Sequence, residues 1–360
     1  MLAGEYAVLK GGHSLAVTLT RGMTVTVEWD PTAASWEIQS DLWPSPKHVV
    51  DDHTPQSEML CRAVQFAAKK TGMHGGKVSV TSEIDVEHGI GSSAALRLGV
   101  CAAFFYLQKQ ETSPKNDILP RDSIYSAWQL QTEGQGLASG YDVVTQYVGG
   151  LVEFNFQYSD NKWTPHWFKH QLESLGQFVQ VFVGGSGAPT AQTLQTMTSW
   201  LDSGGRLERL IDLSENLVDA FIIASQWPNP VNLKNLVRAC SASRALFWGN
   251  PHFPSNIASA LSTVPGIDDR WSWKTTGAGG EDAILLVGRA ADLESAKAKL
   301  ASIGWHRLDA VFSESGAKIL GPLAAISEID EPQRSHPTKS TKLMAKTQEK
   351  PGKNSSKEQP

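Results

Sequence analysis

The architecture of this chain is best predicted from one stretch, Gly89-Ile90-Gly91-Ser92-Ser93-Ala94-Ala95. Before it, residues 77–86 alternate between apolar and polar side chains and predict a strand, and after it, residues 94–108 are mostly apolar and predict a helix. Backbone N–H groups of a glycine turn can approach an anion because no Cβ is in the way, and the helix start adds unpaired N–H groups and a positive dipole end. The stretch therefore predicts a site for a di- or triphosphate. It equally suits a tight turn in which Ser92 caps the helix, and the residues alone leave both interpretations open.

The same stretch can be compared with two other phosphate-binding motifs, the P-loop and the dinucleotide-binding motif. The P-loop pattern GxxxxGK[ST] is excluded because no lysine follows Gly91. The looser dinucleotide pattern GxGxxA is met by residues 89–94, and Glu111 lies near the distance at which a ribose-binding acid is expected. No apolar strand precedes Glu111, so the βαβ unit that would present this acid is missing and the Rossmann interpretation is disfavoured.

Two further stretches carry candidate chemistry. Asp142 follows Ser139-Gly140 in a predicted loop before an apolar segment, where a carboxylate can accept a proton while a nucleophile attacks phosphorus. Aspartate in such a place is also common turn chemistry. The glycine cluster at 274–280 offers more backbone N–H groups, with Lys274 placed to meet an anion, although it also suits a flexible connector. Glu133 and Glu281 are candidate magnesium ligands.

The remaining pattern predicts an α+β chain. Residues 5–9 and 15–20 are expected to form two short strands around a glycine turn, and residues 24–29, 150–156, 178–183, 282–287 and 308–312 are further predicted strands. Helices are predicted at residues 57–70, 123–132, 188–201, 207–225, 232–247 and 293–303.

Composition excludes several classes of protein. The formal net charge of the 360 residues is −5 and no Lys/Arg block lies in the body of the chain, which disfavours nucleic-acid binding. The chain has three cysteines, no CxxC pair and no HExxH motif, so neither a disulfide framework nor a zinc site is expected. Reduced cysteines of this kind predict a cytoplasmic location. No basic leader or membrane-length apolar run is apparent. Residues 329–360 are basic and polar and are expected to be a disordered tail.

Three stretches together resemble, in order and separation, the three motifs of the GHMP kinases. They are Gly4-Glu5-Tyr6-Ala7-Val8-Leu9 with Gly11-Gly12, then Gly89-Ile90-Gly91-Ser92-Ser93-Ala94-Ala95, and last Lys274-Thr275-Thr276-Gly277-Ala278-Gly279-Gly280. The resemblance covers about residues 1–325. Within this superfamily, Gln135-Gly136 and Ser139-Gly140-Tyr141-Asp142 look most like the QGxxGSGxD stretch of phosphomevalonate kinases, and Asp282 also suits that branch.

The resemblance implies a fold and an activity. The fold is the two-domain α+β GHMP kinase fold, with an N-terminal domain like the second domain of ribosomal protein S5 over residues 1–184 and a ferredoxin-like domain over residues 185–328. The activity is ATP- and Mg²⁺-dependent phosphorylation of mevalonate 5-phosphate to mevalonate 5-diphosphate, a step of isoprenoid biosynthesis, by a cytoplasmic monomer or homodimer whose partner is its small-molecule acceptor. The alternatives are a mevalonate kinase and a non-catalytic homologue that binds nucleotide.

The resemblance also implies roles for individual residues. Asp142 would orient or deprotonate the acceptor, and Mg²⁺ would be held by Ser93 and Glu133. The ATP phosphates would be held by His88, Gly89, Ile90, Gly91, Ser92, Ser93 and Ala94. The acceptor pocket would be lined by Glu5, Tyr6, His13, Ser139, Gly140, Lys274, Thr276, Gly277, Ala278 and Gly279.

The chain departs from the family pattern at several positions. The pattern places a lysine six positions before Glu5, upstream of Met1, so the first strand is expected to be incomplete. Asp85 and Glu87 stand where the family usually has Pro and Gly. The magnesium-binding Glu of mevalonate kinases falls on Gln131, and Glu281 replaces a glycine of the third motif.

Overall fold

The computed structural model describes residues 1–42, 47–51, 58–112, 119–160, 162–184, 190–203, 205–250, 252–277, 282–322 and 339–344. The helices of these residues are α1 Met59–Thr71, α2 Ser92–Thr112, α3 Asp122–Gln135, α4 Tyr141–Val148, α5 Leu175–Phe178, α6 Thr190–Asp202, α7 Arg206–Gln226, α8 Pro230–Leu246, α9 Ser255–Ser262 and α10 Ala290–Ser302. Short 3₁₀ helices occur at Ala7–Lys10 and Val86–His88.

The strands lie in three sheets. They are β1 Ser14–Leu19, β2 Met23–Trp29, β3 Trp36–Ser40, β4 Lys47–Val50, β5 Gly76–Ser82, β6 Leu151–Ser159, β7 Lys162–His170, β8 Val179–Val183, β9 Trp271–Thr275, β10 Ala283–Gly288, β11 His306–Arg307, β12 Phe312–Ser313, β13 Lys318–Pro322 and β14 Lys339–Met344. The sheet orders are β13-β14-β2-β5-β3-β4, β12-β1-β6-β7 and β11-β8-β10-β9. Helices and sheets are mixed along the chain, so the α+β class is confirmed.

The first sheet places the glycine loop. Its inward side chains, including Val25, Val78 and Val80, share a buried core with the apolar faces of α1 and α2. Helix α1 ends where Gly72 adopts a left-handed conformation and donates its N–H to the carbonyl of Ala68. Strand β5 then runs toward the turn that precedes α2, so the start of α2 lies at the end of this sheet. The predicted order of strand, glycine turn and helix is confirmed here.

Most predicted helices are confirmed within a few residues, but the N-terminal strand prediction is wrong. Residues 7–10 form a 3₁₀ helix instead, and Gly12 donates its N–H to the carbonyl of Ala7 to close the turn. Only Ala3 bridges to Leu15 of β1. Short apolar runs fit a buried helical turn as well as a strand, which is why the pattern misleads there. The strand predicted at 308–312 is wrong for residues 308–311, which lie between β11 and β12, and only Phe312 belongs to a strand.

The loop predicted around Asp142 is wrong as well, because Asp142 lies in the first turn of α4. Glycines flank this helix closely on both sides, and four of its eight residues are β-branched, so the sequence pattern favours a loop that leads into a strand. Buried packing of Val143 and Val144 against α2 and α3 stabilises the helix despite that propensity.

Strands pair across the domain boundary predicted at residue 184 and across the start of the predicted tail. β8 lies before the boundary predicted at 184, yet it pairs with β10 and with β11. Residues 339–344 fall in the tail predicted to be disordered, yet they form β14, which pairs with β2 and β13. The tail prediction is therefore wrong for these six residues. Residues 329–338 and 345–360 lie outside the described part, as do residues 188–189 of the helix predicted at 188–201. Within the described residues, no helix has the length and apolar character needed to cross a membrane.

Candidate active site

A cavity of about 530 Å³ lies where the glycine loop, α4 and the N-terminal segment meet. This volume is within the usual range for small-molecule sites. The site residues predicted from the sequence that line it are Glu5, Tyr6, Gly89, Ile90, Gly91, Ser92, Ser93, Ser139, Asp142 and Gly277. Residues from distant parts of the chain, including all three predicted motifs, therefore meet at one cavity.

The glycine loop is held by side chains on both sides. Asp85 caps the short 3₁₀ helix before it, because its Oδ1 accepts the N–H of Glu87 at 2.9 Å, which gives this unusual residue a structural role. Gly91 has a φ of +98°, and Gln146 Nε2 donates to its carbonyl at 2.9 Å. Helix α2 begins at Ser92 directly after this turn. The first turn of a 21-residue helix thus opens on the cavity, as an anion site requires.

Asp282 lies against the glycine loop. A Cβ on Gly89 would stand 2.0 Å from Asp282 Oδ2, and Gly89 has a φ of +60°, so only glycine fits there. Asp282 Oδ1 accepts the N–H of Ala283 at 2.9 Å. Burial raises the pKa of Asp282 to about 6, although hydrogen bonds from its surroundings and the charge of His88 oppose that rise. A second carboxylate therefore faces the loop, close to the place where phosphates are expected.

Asp142 is a partly buried carboxylate in the cavity wall. Gln131 Nε2 donates to its Oδ2 at 2.9 Å, and the N–H of Val143 donates to its Oδ1 at 3.0 Å. Burial raises the pKa of Asp142, while the Val143 N–H, the charge of Arg97 and the Gln131 amide lower it. The side chain is thus held in one orientation by neutral donors and faces the cavity.

Lys274 does not take the role that the sequence predicts for it. Its Nζ donates to Glu5 Oε1 and to the carbonyl of Thr275, and both side chains of the ion pair are about 95% buried. Lys274 does not line the large cavity. Its charge is therefore committed to Glu5, and the pair ties the N-terminal segment to the third glycine cluster.

Several other predicted residues lie away from the cavity. His13 Nδ1 is 2.6 Å from Glu153 Oε1, and its Nε2 is 2.7 Å from Asn155 Nδ2. Glu133 is exposed and does not line the cavity, since it lies two residues beyond Gln131 and so on another side of α3. His88, Ala94, Gly140 and Thr276 lie beside the site without lining it, and Ala278, Gly279 and Glu281 lie outside the described residues.

The structure adds residues that sequence reasoning did not single out. Arg97 lies on α2 one turn beyond Ser93, and Trp128 and Trp163 stack beside Gly140. Gln146 was missed together with α4. Arg97 could have been found from the sequence, because it is a charged residue inside an otherwise apolar helix. Trp128 and Trp163 could not, because in the sequence they resemble ordinary core residues.

The donor set fits a nucleotide with its magnesium ion. Backbone N–H groups and the hydroxyls of Ser92 and Ser93 suit phosphate oxygens, and Asp142 and Asp282 supply oxygen ligands. In the part of the chain that the structure describes, no group of three or more His, Cys, Asp or Glu could hold a metal on its own. Mg²⁺ commonly binds through one or two carboxylates together with substrate phosphates, and the residues here suit that arrangement.

Comparison with known proteins agrees with this site. Residues 58–150, which include the glycine loop and Asp142, match the family model for the GHMP kinases N-terminal domain. Similar solved structures include the Lin0012 protein from Listeria innocua, at a TM-score of 0.65 and 17% identity, with 86% of this chain and 94% of that chain covered. Curated protein sequences gave no match.

Two kinases are also among the similar solved structures. The Streptococcus pneumoniae phosphomevalonate kinase in complex with phosphomevalonate and AMPPNP has a TM-score of 0.64 and 14% identity, with 86% of this chain and 96% of that chain covered. The mevalonate kinase of Methanococcus jannaschii has a TM-score of 0.62 and 16% identity, with 87% and 94% covered. At these identities the likeness shows the fold alone, which is that of GHMP kinases.

Proposed function

We propose that this chain, a member of the GHMP kinase superfamily, transfers the γ-phosphoryl group of ATP to an oxygen atom of a small molecule. One observation carries the proposal: the partly buried carboxylate of Asp142 and the glycine loop at the start of α2 face the same cavity. The first supplies a base or orienting group for the acceptor, and the second supplies a cradle for phosphates.

The residues act mainly by position and charge. The N–H groups at the start of α2 would hold the phosphates, with Gly91 fixed by Gln146. Asp142 would accept the hydroxyl proton of the acceptor, or orient an acceptor that is already ionised, while Gln131 keeps its carboxylate turned to the cavity. Mg²⁺, when bound with the nucleotide, would neutralise negative charge that develops on the phosphates. Ser93, Asp142 and Asp282 are the cavity residues that offer it oxygen ligands.

For the acceptor, we propose mevalonate 5-phosphate first. The support is the stretch Gln135-Gly136 with Ser139-Gly140-Tyr141-Asp142, which resembles phosphomevalonate kinases. In the described structure Ser139 and Asp142 both line the cavity, as an acceptor site requires.

An acceptor without a phosphate group is a second candidate, and the charge of the cavity favours it. Among the described lining residues, Glu5, Glu87, Asp142 and Asp282 carry carboxylates, and none carries a Lys or Arg side chain. A phosphate-bearing acceptor is normally held by such cations. Lys274, the cation expected for that role, is paired with Glu5. Mevalonate or a neutral polyol therefore belongs in the same test.

The test is ADP release with ATP and magnesium against a panel of acceptors. Mevalonate 5-phosphate, mevalonate and neutral sugars form its three arms, and preference for the first supports the finer proposal. Release of ADP with an unphosphorylated acceptor only would select the second candidate. Binding of nucleotide without transfer to any acceptor would reject both in favour of a non-catalytic homologue, and binding of NAD in preference to ATP would reject the nucleotide assignment.

The substitution Asp142→Asn removes the base without changing its size. We expect turnover to fall by about 10²- to 10⁴-fold, while the free energy of unfolding at pH 7 changes little, because relief from burying a carboxylate and loss of the charge near Arg97 act in opposite directions. Steady-state kinetics and urea unfolding measure the two effects. Glu133→Gln on the neighbouring helix is the control and should keep full activity, since Glu133 is exposed and off the cavity. Full activity of Asp142→Asn would remove Asp142 from its role.

A further inference from the structure

Arg97 is a buried cation directly beneath the glycine loop. It lies on α2 one helical turn after Ser93, its residue is 5% exposed, and its Nη1 donates to Ser93 Oγ at 3.3 Å. Its Nε is buried and finds no hydrogen-bond partner among the described residues. On the other side the guanidinium faces α3, where a Cβ on Gly134 would stand 3.8 Å from Nη2. The side chain of Arg97 therefore lies between α2, which carries it, and α3, which carries Gln131.

The charge of Arg97 is balanced by one nearby carboxylate, that of Asp142. Burial lowers the pKa of Arg97, the Asp142 carboxylate raises it, and the exposed Arg62 of α1 lowers it. Cys101, one turn further along α2, is a neutral thiol whose pKa burial raises to about 12. Gln131, which lines the cavity, is neutral. Asp142 is thus the carboxylate that balances Arg97, and Arg97 in turn lowers the pKa of Asp142.

The hydrogen bond from Arg97 also decides what Ser93 can do. A serine hydroxyl has one hydrogen to donate and two lone pairs to accept with. Since Ser93 Oγ accepts from Arg97, its own hydrogen and its second lone pair stay available on the side of the cavity that Ser93 lines. An approaching phosphate oxygen can take that hydrogen.

Stability does not account for an arginine at this place. Helix α2 is otherwise apolar around it, as the stretch Ala94-Ala95-Leu96-Arg97-Leu98 shows. Buried charges cost desolvation energy, and apolar residues of similar volume are often as stable or more stable in their place. A functional role would explain why a cation occupies a position that packing alone would give to an apolar residue.

We propose that Arg97 is a positioning residue for phosphoryl transfer. It acts through Ser93, whose hydroxyl it turns into a donor toward phosphate, and it adds a full positive charge beneath the start of α2, opposite Asp142. This inference rests on the proposed function for its catalytic part, and on nucleotide binding alone for its electrostatic part.

Two substitutions separate charge from bulk. Arg97→Met keeps volume and removes charge, and Arg97→Lys keeps charge and loses the planar fork. We expect Arg97→Met to lower turnover and the affinity for AMPPNP each by about tenfold to a hundredfold, because a charge-assisted interaction is lost. The melting temperature should change little, because Asp142 keeps its hydrogen bonds from Gln131 and from the Val143 N–H. Arg97→Lys should recover part of both. Arg62→Gln, which removes an exposed cation nearby, should behave like the wild type.

The readouts are AMPPNP binding by calorimetry, turnover with the best acceptor of the panel, and thermal unfolding. Wild-type affinity and turnover in Arg97→Met would overturn the proposal. So would losses in both variants that follow their melting temperatures, since that result indicates a structural role.

Failure of the proposed function gives a different result. If the wild type binds AMPPNP but transfers to no acceptor, and Arg97→Met still weakens binding while Arg97→Lys restores it, the kinase assignment fails and the electrostatic role of Arg97 stands. If the wild type binds no nucleotide, both are rejected.

Discussion

Glu5 and Lys274 are 269 residues apart in sequence and form a buried ion pair at the cavity wall. Removing one partner of such a pair leaves the other as an uncompensated buried charge. The contact therefore holds the N-terminal segment, with Tyr6 at a φ of +62°, against the third glycine cluster. Its role is to assemble the cavity, and it leaves no free charge for the acceptor.

Lys274→Met should lower the free energy of unfolding by about 3–5 kcal/mol, because Glu5 stays buried without its partner. The double variant Glu5→Gln/Lys274→Met should recover much of the loss. Urea unfolding measures both. Lys297→Gln, which breaks an ion pair with the exposed Glu294 on α10, is the control and should cost less than about 1 kcal/mol. Equal effects of Lys274→Met and the control would show that the pair contributes little.

Asp282 makes stability depend on pH in a defined direction. Burial raises its pKa in the folded state to about 6 from 3.8, so between these values the folded chain binds a proton that the unfolded chain releases. Its contribution to stability is therefore full below pH 3.8 and falls as pH rises to about 6. We expect Asp282→Asn to be more stable than the wild type at pH 7 and about equally stable at pH 4. Urea unfolding at the two pH values checks this, and a constant difference between the two chains would contradict it.

At the scale of elements, two stacked tryptophans fix the entry to α4. The rings of Trp128 and Trp163 lie 4.8 Å apart at an interplanar angle of 4°. Their Nε1 atoms donate to the carbonyls of Ala138 at 2.9 Å and Ser139 at 3.0 Å, just before the helix. Gly140 passes beneath them at a φ of +81°, where a Cβ would stand 2.7 Å from Trp163. The pair thereby sets the direction from which Asp142 enters the cavity.

Trp163→Phe keeps an aromatic ring but leaves the Ser139 carbonyl without its donor. We expect a loss of about 1–3 kcal/mol of stability and a lower turnover with little change in the KM for ATP, because Asp142 shifts while the glycine loop does not. Gly140→Ala should be worse, since the clash adds to backbone strain. Unfolding and steady-state kinetics measure the effects, with the exposed Trp227→Phe as control. Unchanged turnover in Trp163→Phe would show that the stack is only core packing.

At the scale of the whole molecule, β14 returns from the C-terminal end of the chain to the N-terminal sheet. Its residues 339–344 pair with residues 24–29 of β2 on one side and with β13 on the other. β12 likewise pairs with β1. The N-terminal sheets are thus completed by segments that follow the third glycine cluster, and this ties the two halves of the chain together.

Truncation after Pro322 removes β14 and leaves one edge of β2 unpaired. At about 0.5–1.5 kcal/mol for each lost backbone hydrogen bond, we expect stability to fall by about 3 kcal/mol or more and aggregation to increase. Truncation after Met344, which keeps β14, is the matched control. Urea unfolding and light scattering compare the two chains. Equal stability of both would support the disordered tail that the composition predicts.

Much of the fold could be predicted because it depends on local patterns. The glycine loop, the helix that follows it and the end of α1 at Gly72 depend on glycine conformation and hydrophobic periodicity, which neighbouring residues carry. The N-terminal 3₁₀ helix and α4 could not be predicted in this way. Each is a short apolar segment, and its conformation depends on the residues that pack against it. The glycine loop was thus accessible from the sequence, while the helix that carries Asp142 was not.

The sequence by itself determined the order of strand, glycine turn and helix around residues 77–108, and it singled out Asp142, which lines the cavity. Only the tertiary structure decided that Lys274 is paired with Glu5, that His13 and Glu133 lie away from the cavity, and that Arg97 lies beneath Ser93. The physical reason is the range of the interactions. Backbone conformation at a glycine turn is set by adjacent residues, whereas the partner of a buried charge is set by packing between segments that can be hundreds of residues apart.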